Sequence, residues 1–497
     1  MLRFPLRWIG GAGVVLALWA CGGGGGDKTA ESPSTPVVPV VPAVPAATDR
    51  IEPLDLGLPG AAKSALQARS ERAGPVAASV RLGPIGDVTP LLDGKAQPLQ
   101  RGPRQIGVPR AVAPTATRQD LMARLQWVAM DGGGQRTAVS FTSDGAQGVR
   151  IGVLVRSLPA GATLRFYAQA GGEVFAVPGA EVLQTLQRNL AARDTGDAAR
   201  TYWGPDFGGA ETTLELDLPA GAPLAELDIA VPTLSHFFVA PGEADAAAMT
   251  KVGEAGTCNI DVSCRPELTS ESRSVARMIF VQNGGSYLCT GTLVNDDQGS
   301  TTPYFLSAHH CISTQSAASS LTTDWFYHST ACNSGSPNPG TQRLGGGAVL
   351  LYSSATTDTA FMRLNAPAPQ GSVFAGSYFG SLPQSAAAVG IHHPKGDLQK
   401  ASSGVVLQYS NCSNELCTLS SAQDGRYLTV GWSQGITEGG SSGSGLFYPL
   451  DGKRYLVGQL YGGSTSCQTP SGRDQYGRFD TAFRASLKNW LMPGYVP

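Results

Sequence analysis

The chain has 497 residues and a formal charge of −2, from 36 basic and 38 acidic side chains. That balance excludes a nucleic-acid binder working by bulk charge. Charged residues make up 15%, against a usual share of about 25%, while glycine supplies 63 residues and proline 34. Such a composition argues against a helical bundle and fits a turn-rich, all-β protein. At roughly 100–200 residues per domain, the length predicts two to four domains.

In chain order, Arg3 and Arg7 precede an apolar run from Trp8 to Ala20. A relaxed spanning helix needs about 20 residues, so this shorter run reads as a secretory signal. It ends at Leu18-Trp19-Ala20-Cys21 and a glycine run. That end resembles the lipobox of bacterial lipoproteins, which implies lipidation of Cys21 and a membrane anchor; Trp19 departs from the small residue usual there. The alternative is ordinary cleavage nearby and a soluble secreted chain. Residues 22–50 form a Gly- and Pro-rich linker, extended and polyproline-like over Pro36–Pro45.

Residues 51–251 show period-two runs at Thr137–Phe141, Val149–Val155, Thr163–Tyr167 and Thr212–Leu218, bounded by turns. They predict a β-sandwich-like unit, with one helix over Glu181–Arg193. Its lone histidine, His236, reads as structural. Residues 252–497 add strand-like runs at Met278–Val281, Tyr304–Leu306 and Tyr455–Val457, and a terminal helix over Thr481–Leu491. Of nine cysteines, eight lie beyond residue 257. An even set in an exported chain predicts four disulfides in an oxidising compartment.

Three segments carry chemistry: Tyr304–Cys311 with its His309-His310 pair, Thr357–Leu364, and Glu438-Gly-Gly-Ser-Ser-Gly-Ser-Gly445. A serine hydroxyl needs a base in hydrogen-bond reach, and the base needs an orienting carboxylate. The oxyanion needs backbone N–H donors, which a glycine turn presents freely. Ser442, His310 and Asp358 supply the three side chains, and Gly440 and Ser442 the amides. These segments resemble the catalytic motifs of chymotrypsin-fold serine endopeptidases: Ala308-His-His-Cys311, Asp358-x-Ala-x-x-Arg-Leu364, and the glycine turn, in the order His, Asp, Ser. The resemblance implies a double six-stranded β-barrel protease domain over 252–497 with a C-terminal helix, and a β-rich propeptide before it.

A narrower resemblance is to bacterial lysyl endopeptidases, carried by Cys258–Cys264, Ile391-His-His-Pro394, Gly458–Gly463 and Asp474–Arg478. It implies disulfides Cys289–Cys311, Cys258–Cys467 and Cys264–Cys332, with Cys412–Cys417 left as a local clip. It also implies Asp474 as the base of the primary specificity pocket, pairing with a substrate lysine or arginine. Six residues before Ser442, where trypsin-like enzymes carry that aspartate, stands Ile436. Tyr461 replaces a histidine beside the triad, and the tryptophan of the substrate wall has no evident counterpart in 405–430. Ser441 replaces the aspartate that receives a new amino terminus in the usual zymogen switch, so that switch cannot operate. The expected alternative is a propeptide that assists folding and blocks the cleft, cut by the enzyme itself between Lys251 and Val252.

Rival readings fail or lack support. An α/β-hydrolase places its histidine after the serine, and none follows Ser442. His392-His393 is a poor metal pair, because neighbouring strand residues face opposite ways; a structural place near the pocket is expected, as for His328. Glu438 fits either pocket contact or turn geometry. A non-catalytic binding or adhesion protein on the protease fold is the alternative function. The expectation is a monomeric endopeptidase acting on proteins or peptides, with no metal, cofactor or nucleic acid.

Overall fold

The computed structural model describes residues 49–57, 67–68, 77–86, 100–239, 255–383, 385–413 and 416–496. The expected signal, Cys21, the linker up to residue 48 and the Lys251-Val252 site lie outside the described residues. Described residues fall in the unit Ala47–Pro497, and none of their helices is long and apolar enough to cross a membrane.

The N-terminal region, before residue 240, packs two sheets. One runs, in spatial order, Gln67–Ala68, Glu173–Pro178, Thr163–Tyr167, Glu211–Leu218, Gln135–Ser143 and Ala78–Leu82. The other runs Thr201–Trp203, Gly148–Ser157, Asp228–Phe237 and Arg104–Ala111. Phe141, Val149, Ile151, Val153, Leu164 and Phe166 interleave between them, and the helix Gly179–Ala191 adds Val182 and Leu186. The sandwich is not a separate module, however. Arg104–Ala111 continues into Gly285–Val294 of the following domain, pairing Gly107 with Ser286, Gln105 with Tyr287 and Arg104 with Leu288. Alone it would be an edge strand with unpaired N–H and C=O groups. Gly107 permits close packing there: a Cβ would lie 2.8 Å from the Phe237 ring and from Ser235 Oγ.

Beyond residue 255, six strands close on themselves: Lys453–Gly463, Gly445–Leu450, Ala387–His392, Lys400–Ser413, Tyr427–Gln434 and Asp474–Arg478, the last pairing back with the first. The preceding lobe runs Gln342–Leu344, Thr322–Trp325, Val275–Gln282, Gly285–Val294, Tyr304–Ala308, Thr359–Leu364 and Ala348–Ser354, and its ends do not pair. The fold is thus all-β and chymotrypsin-like, with one closed six-stranded barrel and one half-barrel rather than two closed barrels. The two ends are joined by Gly345-Gly346-Gly347, where Gly346 and Gly347 take φ of +94° and +73°, and Gly345 abuts the Phe175 ring of the N-terminal region.

The C-terminal helix spans Phe479–Leu491 in three consecutive helical stretches, the middle one, Phe483–Leu487, a π-helix. Phe479, Phe483, Leu487 and Leu491 all enter the core. Side chains four apart drift by about 40° per step on a 3.6-residue helix; the wider π turn brings them back to one face. All four disulfides form: Cys258–Cys467, Cys264–Cys332, Cys289–Cys311 and Cys412–Cys417.

Candidate active site

The buried strand Tyr304–Ala308 delivers His309 and His310 to the edge of the half-barrel. Their rings separate. His309 Nδ1 bonds Ser353 Oγ at 2.7 Å, whereas His310 Nδ1 bonds Asp358 Oδ2 at 2.7 Å. The His310 amide donates to the other oxygen, Oδ1, at 2.9 Å. Asp358 is buried and has φ of +50°, a left-handed conformation costing about 1 kcal/mol in most residues and least in Asn or Asp. The surroundings hold it there: the His309 amide donates to its carbonyl at 3.0 Å, and Gln459 Nε2 donates to the carbonyls of Thr357 and Asp358 at 2.8 and 3.1 Å. Cys289, His310 and Cys311 cluster tightly, but the two sulfurs are bonded to each other, so neither is a thiolate for a metal.

Ser442 lies in a turn between Gly440, φ +96°, and Gly443, φ +81°. A Cβ on Gly440 would meet the backbone of His393, Lys395 and Gly396 at 3.1 Å, so the position demands glycine on both counts. Thr290 clamps the turn: its amide donates to the Ser442 carbonyl at 2.8 Å and its hydroxyl to the Gly440 carbonyl at 2.9 Å. Because Thr290 follows Cys289, one disulfide ties the serine turn to the His310 segment. Among the described residues, the Gly440 and Ser442 amides donate to no other protein group.

Ser441 Oγ bonds His392 Nδ1 at 2.8 Å, and His392 Nε2 bonds Ser402 Oγ at 3.1 Å. Burial pushes His392 down to about 3, so this relay is neutral. His393 turns away: its Nδ1 meets the Asp397 carbonyl at 2.9 Å, and burial takes it too down to about 3. Glu438 is a brace rather than a pocket wall. It accepts from the Gly256 amide at 2.8 Å and Asn259 Nδ2 at 2.7 Å, with Lys395 Nζ at 3.2 Å. The first described turn of the protease domain is thereby fastened to the serine turn.

Asp474 is fully buried. Its Oδ2 accepts from Trp432 Nε1 at 2.6 Å, Thr437 Oγ1 at 2.8 Å and Thr465 Oγ1 at 2.8 Å; Thr465 Oγ1 also lies 2.8 Å from Oδ1. Burial raises its pKa, only partly offset by those donors. A buried carboxylate held by neutral donors is a site that gains by receiving a cation. Those donors come from the segment leading to Ser442, with Trp432 and Thr437, and from the segment after Gly463, with Thr465.

A segment of the N-terminal region lies against this site. Gln100–Arg101 pairs antiparallel with Gly462 and Gly463. Directly after it, the Gly102 carbonyl accepts a hydrogen bond from Ser442 Oγ at 3.2 Å. His310 Nε2 is buried with no hydrogen-bond partner among the described residues. The chain then runs on into Arg104–Ala111, so residues 100–111 form one strap from the closed barrel to the half-barrel. Tyr461 stands edge-on to the His310 ring, centroids 6.0 Å apart, with Tyr427 behind it at 5.3 Å.

Five contributors escaped the sequence reading: Thr290, Gln459, Trp432, Thr437 and Thr465. Trp432 lies two residues beyond the segment searched for a pocket tryptophan. The other four are uncharged and none carries reactive chemistry of its own; Thr290 and Gln459 arrive on strands, Thr437 and Thr465 on loops, and the assembled fold brings them in.

Two family models match consecutive parts of the chain: the lysyl endopeptidase N-terminal domain over residues 88–238, and the lysyl endopeptidase C-terminal domain over residues 252–477. A lysyl endopeptidase of Pseudomonas aeruginosa is 31% identical over 409 residues, covering 79% of this chain and 81% of the relative. Fold, cleft and these likenesses agree: the chain belongs to the lysyl endopeptidase family of serine endopeptidases.

Proposed function

We propose that this chain is the latent precursor of an exported endopeptidase that cuts proteins after lysine. Ser442 attacks the scissile carbonyl and His310 Nε2 takes its proton, then gives it to the leaving amine; water repeats the cycle on the acyl-enzyme. Asp358 fixes the tautomer by accepting from Nδ1 and stabilises the imidazolium. The Gly440 and Ser442 amides receive the oxyanion. Asp474 takes the substrate ammonium, and Tyr461 walls the cleft beside His310.

The observation that carries this reading is the 2.7 Å His310–Asp358 bond in the same cleft where an extended segment lies antiparallel on Gly462–Gly463 and meets the Ser442 hydroxyl. Adding a strand to a protein's edge is a common way to present a peptide. Here that peptide is the chain's own residues 100–102, and the serine proton is committed to Gly102 rather than to the imidazole. Residues 51–251 therefore act as a propeptide. The neutral Ser441–His392 relay supports a switch that does not use a new amino terminus. Export through residues 1–21, an anchor at Cys21 and self-cleavage after Lys251 complete the proposal, with release of the protease from the anchored pro-region.

Digesting a denatured protein and sequencing the fragment ends tests the specificity: ends at lysine are expected, and ends without preference for Lys or Arg sink the Asp474 role. Asp474→Asn should lower kcat/KM on lysyl peptides about 10³-fold, the scale of losing a desolvated charge pair. Ser442→Ala should abolish hydrolysis and leave the precursor uncut at Lys251; normal processing of that variant rules out self-cleavage.

A further inference from the structure

The surroundings of Asp474 bear on which cation it accepts. A carboxylate offers about four acceptor directions over its two oxygens. The protein brings three protons: the Trp432 indole N–H and the hydroxyls of Thr437 and Thr465. All three donors reach Oδ2, and Thr465 alone also reaches Oδ1. Oδ2 is therefore saturated, and what remains is one direction on Oδ1.

The two basic side chains differ in what they ask of a carboxylate. A lysine ammonium is a compact point charge, satisfied by one oxygen. A guanidinium binds best through two parallel N–H groups, one to each oxygen. We propose that Trp432 sets selectivity for lysine over arginine by occupying Oδ2 of Asp474, leaving Oδ1 for a single-point contact. This rests on the reading of Asp474 as the pocket base.

The indole is well placed for that role. Trp432 sits on Tyr427–Gln434, whose Val430 pairs directly with Asp474. Its ring stands edge-on to Tyr476 with centroids 6.1 Å apart. It also abuts Gly390, where a Cβ would lie 3.2 Å from the indole. The ring cannot swing away without disturbing those contacts, so its N–H stays on the carboxylate. Trp432→Phe keeps most of the packing and removes only the donor.

The test compares kcat/KM on matched peptides ending in lysine or arginine, using full-length precursor after maturation. In Trp432→Phe the arginine-to-lysine ratio should rise about tenfold. Thr437→Val removes a second Oδ2 donor with little change in volume and should shift the ratio in the same direction, which keeps the test open if the aromatic variant folds poorly. A purely structural role would lower both substrates together; an unmoved ratio in both variants overturns the proposal. So does a wild-type enzyme that cuts lysine and arginine equally. A wild-type enzyme indifferent to basic residues overturns the Asp474 reading itself, so the two failures are distinguishable.

Discussion

The N-terminal region and the protease domain are both built of packed β-sheets, yet they are held together differently. Four disulfides staple residues 258–467. The described N-terminal region has none and relies on a largely aliphatic core and on a sheet that ends in the protease. The protease domain carries its own covalent staples, whereas the N-terminal region depends on the protease for the partner of its Arg104–Ala111 edge. The contrast extends to the candidate site: the protease domain holds His310, Asp358 and Ser442, and the N-terminal region lays Gln100–Gly102 against Gly462–Gly463 and Ser442.

The sharpest way to break this comparison is to turn the strap into a substrate. The carbonyl at Ser442 belongs to the Gly102–Pro103 bond. Glycine has no side chain to reach Asp474, and proline's nitrogen sits in a ring with fixed φ and no N–H. The strap therefore fits the cleft while offering neither recognition nor a good leaving group. The double variant Gly102→Lys, Pro103→Ala should be cut after residue 102 and should lose latency. Precursor activity on a lysyl peptide should rise about 100-fold, roughly the effect of releasing 3 kcal/mol of bound inhibitor. An intact 102–103 bond with unchanged latency would show that inhibition lies elsewhere.

The staples come next. Loop-closure entropy gives about 5 kcal/mol for Cys258–Cys467, which closes 209 residues, and about 3 kcal/mol for Cys289–Cys311, which closes 22. Replacing the first pair by serine should lower the denaturation midpoint of the protease more than replacing the second. The second should cost more activity for each unit of stability lost, because Thr290 and His310 flank it. Equal ratios of activity to stability would separate the disulfide from the catalytic geometry.

Much of this was legible in the sequence. Strand periodicity located Gln135–Ser143, Gly148–Ser157 and Glu211–Leu218 but missed Asp228–Phe237, Gly285–Val294 and the longest strand, Lys400–Ser413; the terminal helix appeared within two residues of its observed start. The pairing of His310 with Asp358 was readable, because a base that activates a nucleophile needs an orienting carboxylate. The shared sheet was not. Arg104–Ala111 has weak alternation, and its partner is decided by which edge lies open, a property of the assembled fold. Gln100-Arg-Gly102 carries no motif at all; its meaning comes from lying across Ser442. The half-barrel was hidden for the same reason, since strand count does not reveal closure.

Acid should erode the protease half through its buried imidazoles. His392 and His393 are held at about 3, against about 6.5 in an unfolded chain. Between those values the unfolded state binds more protons, so stability falls as pH falls from 6.5 toward 3. Each group contributes a loss of about 3 kcal/mol by pH 4. Urea midpoints of Ser442→Ala from pH 7 to pH 4 should fall steeply, and His392→Gln should flatten the slope. An unchanged slope in that variant would remove His392 from the account.

The smallest effect expected is that of Asp206→Asn, at the charged seam between the halves, and it tests the comparison most directly. Arg343 Nη1 meets Asp206 of the N-terminal region at 3.2 Å, while its Nε meets Asp324 of its own domain at 2.7 Å. Asp324 also receives Arg277 Nη2 at 2.6 Å, and these two guanidinium groups hold its carboxyl far below the usual range despite burial. The neighbouring Arg150 of the N-terminal region is buried, with Nε and Nη2 on the carbonyls of Gly204 and Ser320 and Nη1 without a hydrogen-bond partner among the described residues; burial lowers it to about 10. Asp206→Asn leaves Arg343 paired with Asp324, so the cost should be about 1–2 kcal/mol and confined to attachment of the N-terminal region. Asp324→Asn strips the shared acid from the buried Arg277 and the half-buried Arg343 and should cost about 3–5 kcal/mol across the protease. In the Ser442→Ala precursor, hydrogen exchange of Arg104–Ala111 should rise in the first variant alone, with Val275–Gln282 unchanged. If Asp206→Asn loosens both strands equally, the halves unfold as one unit and the asymmetry between them is not mechanical.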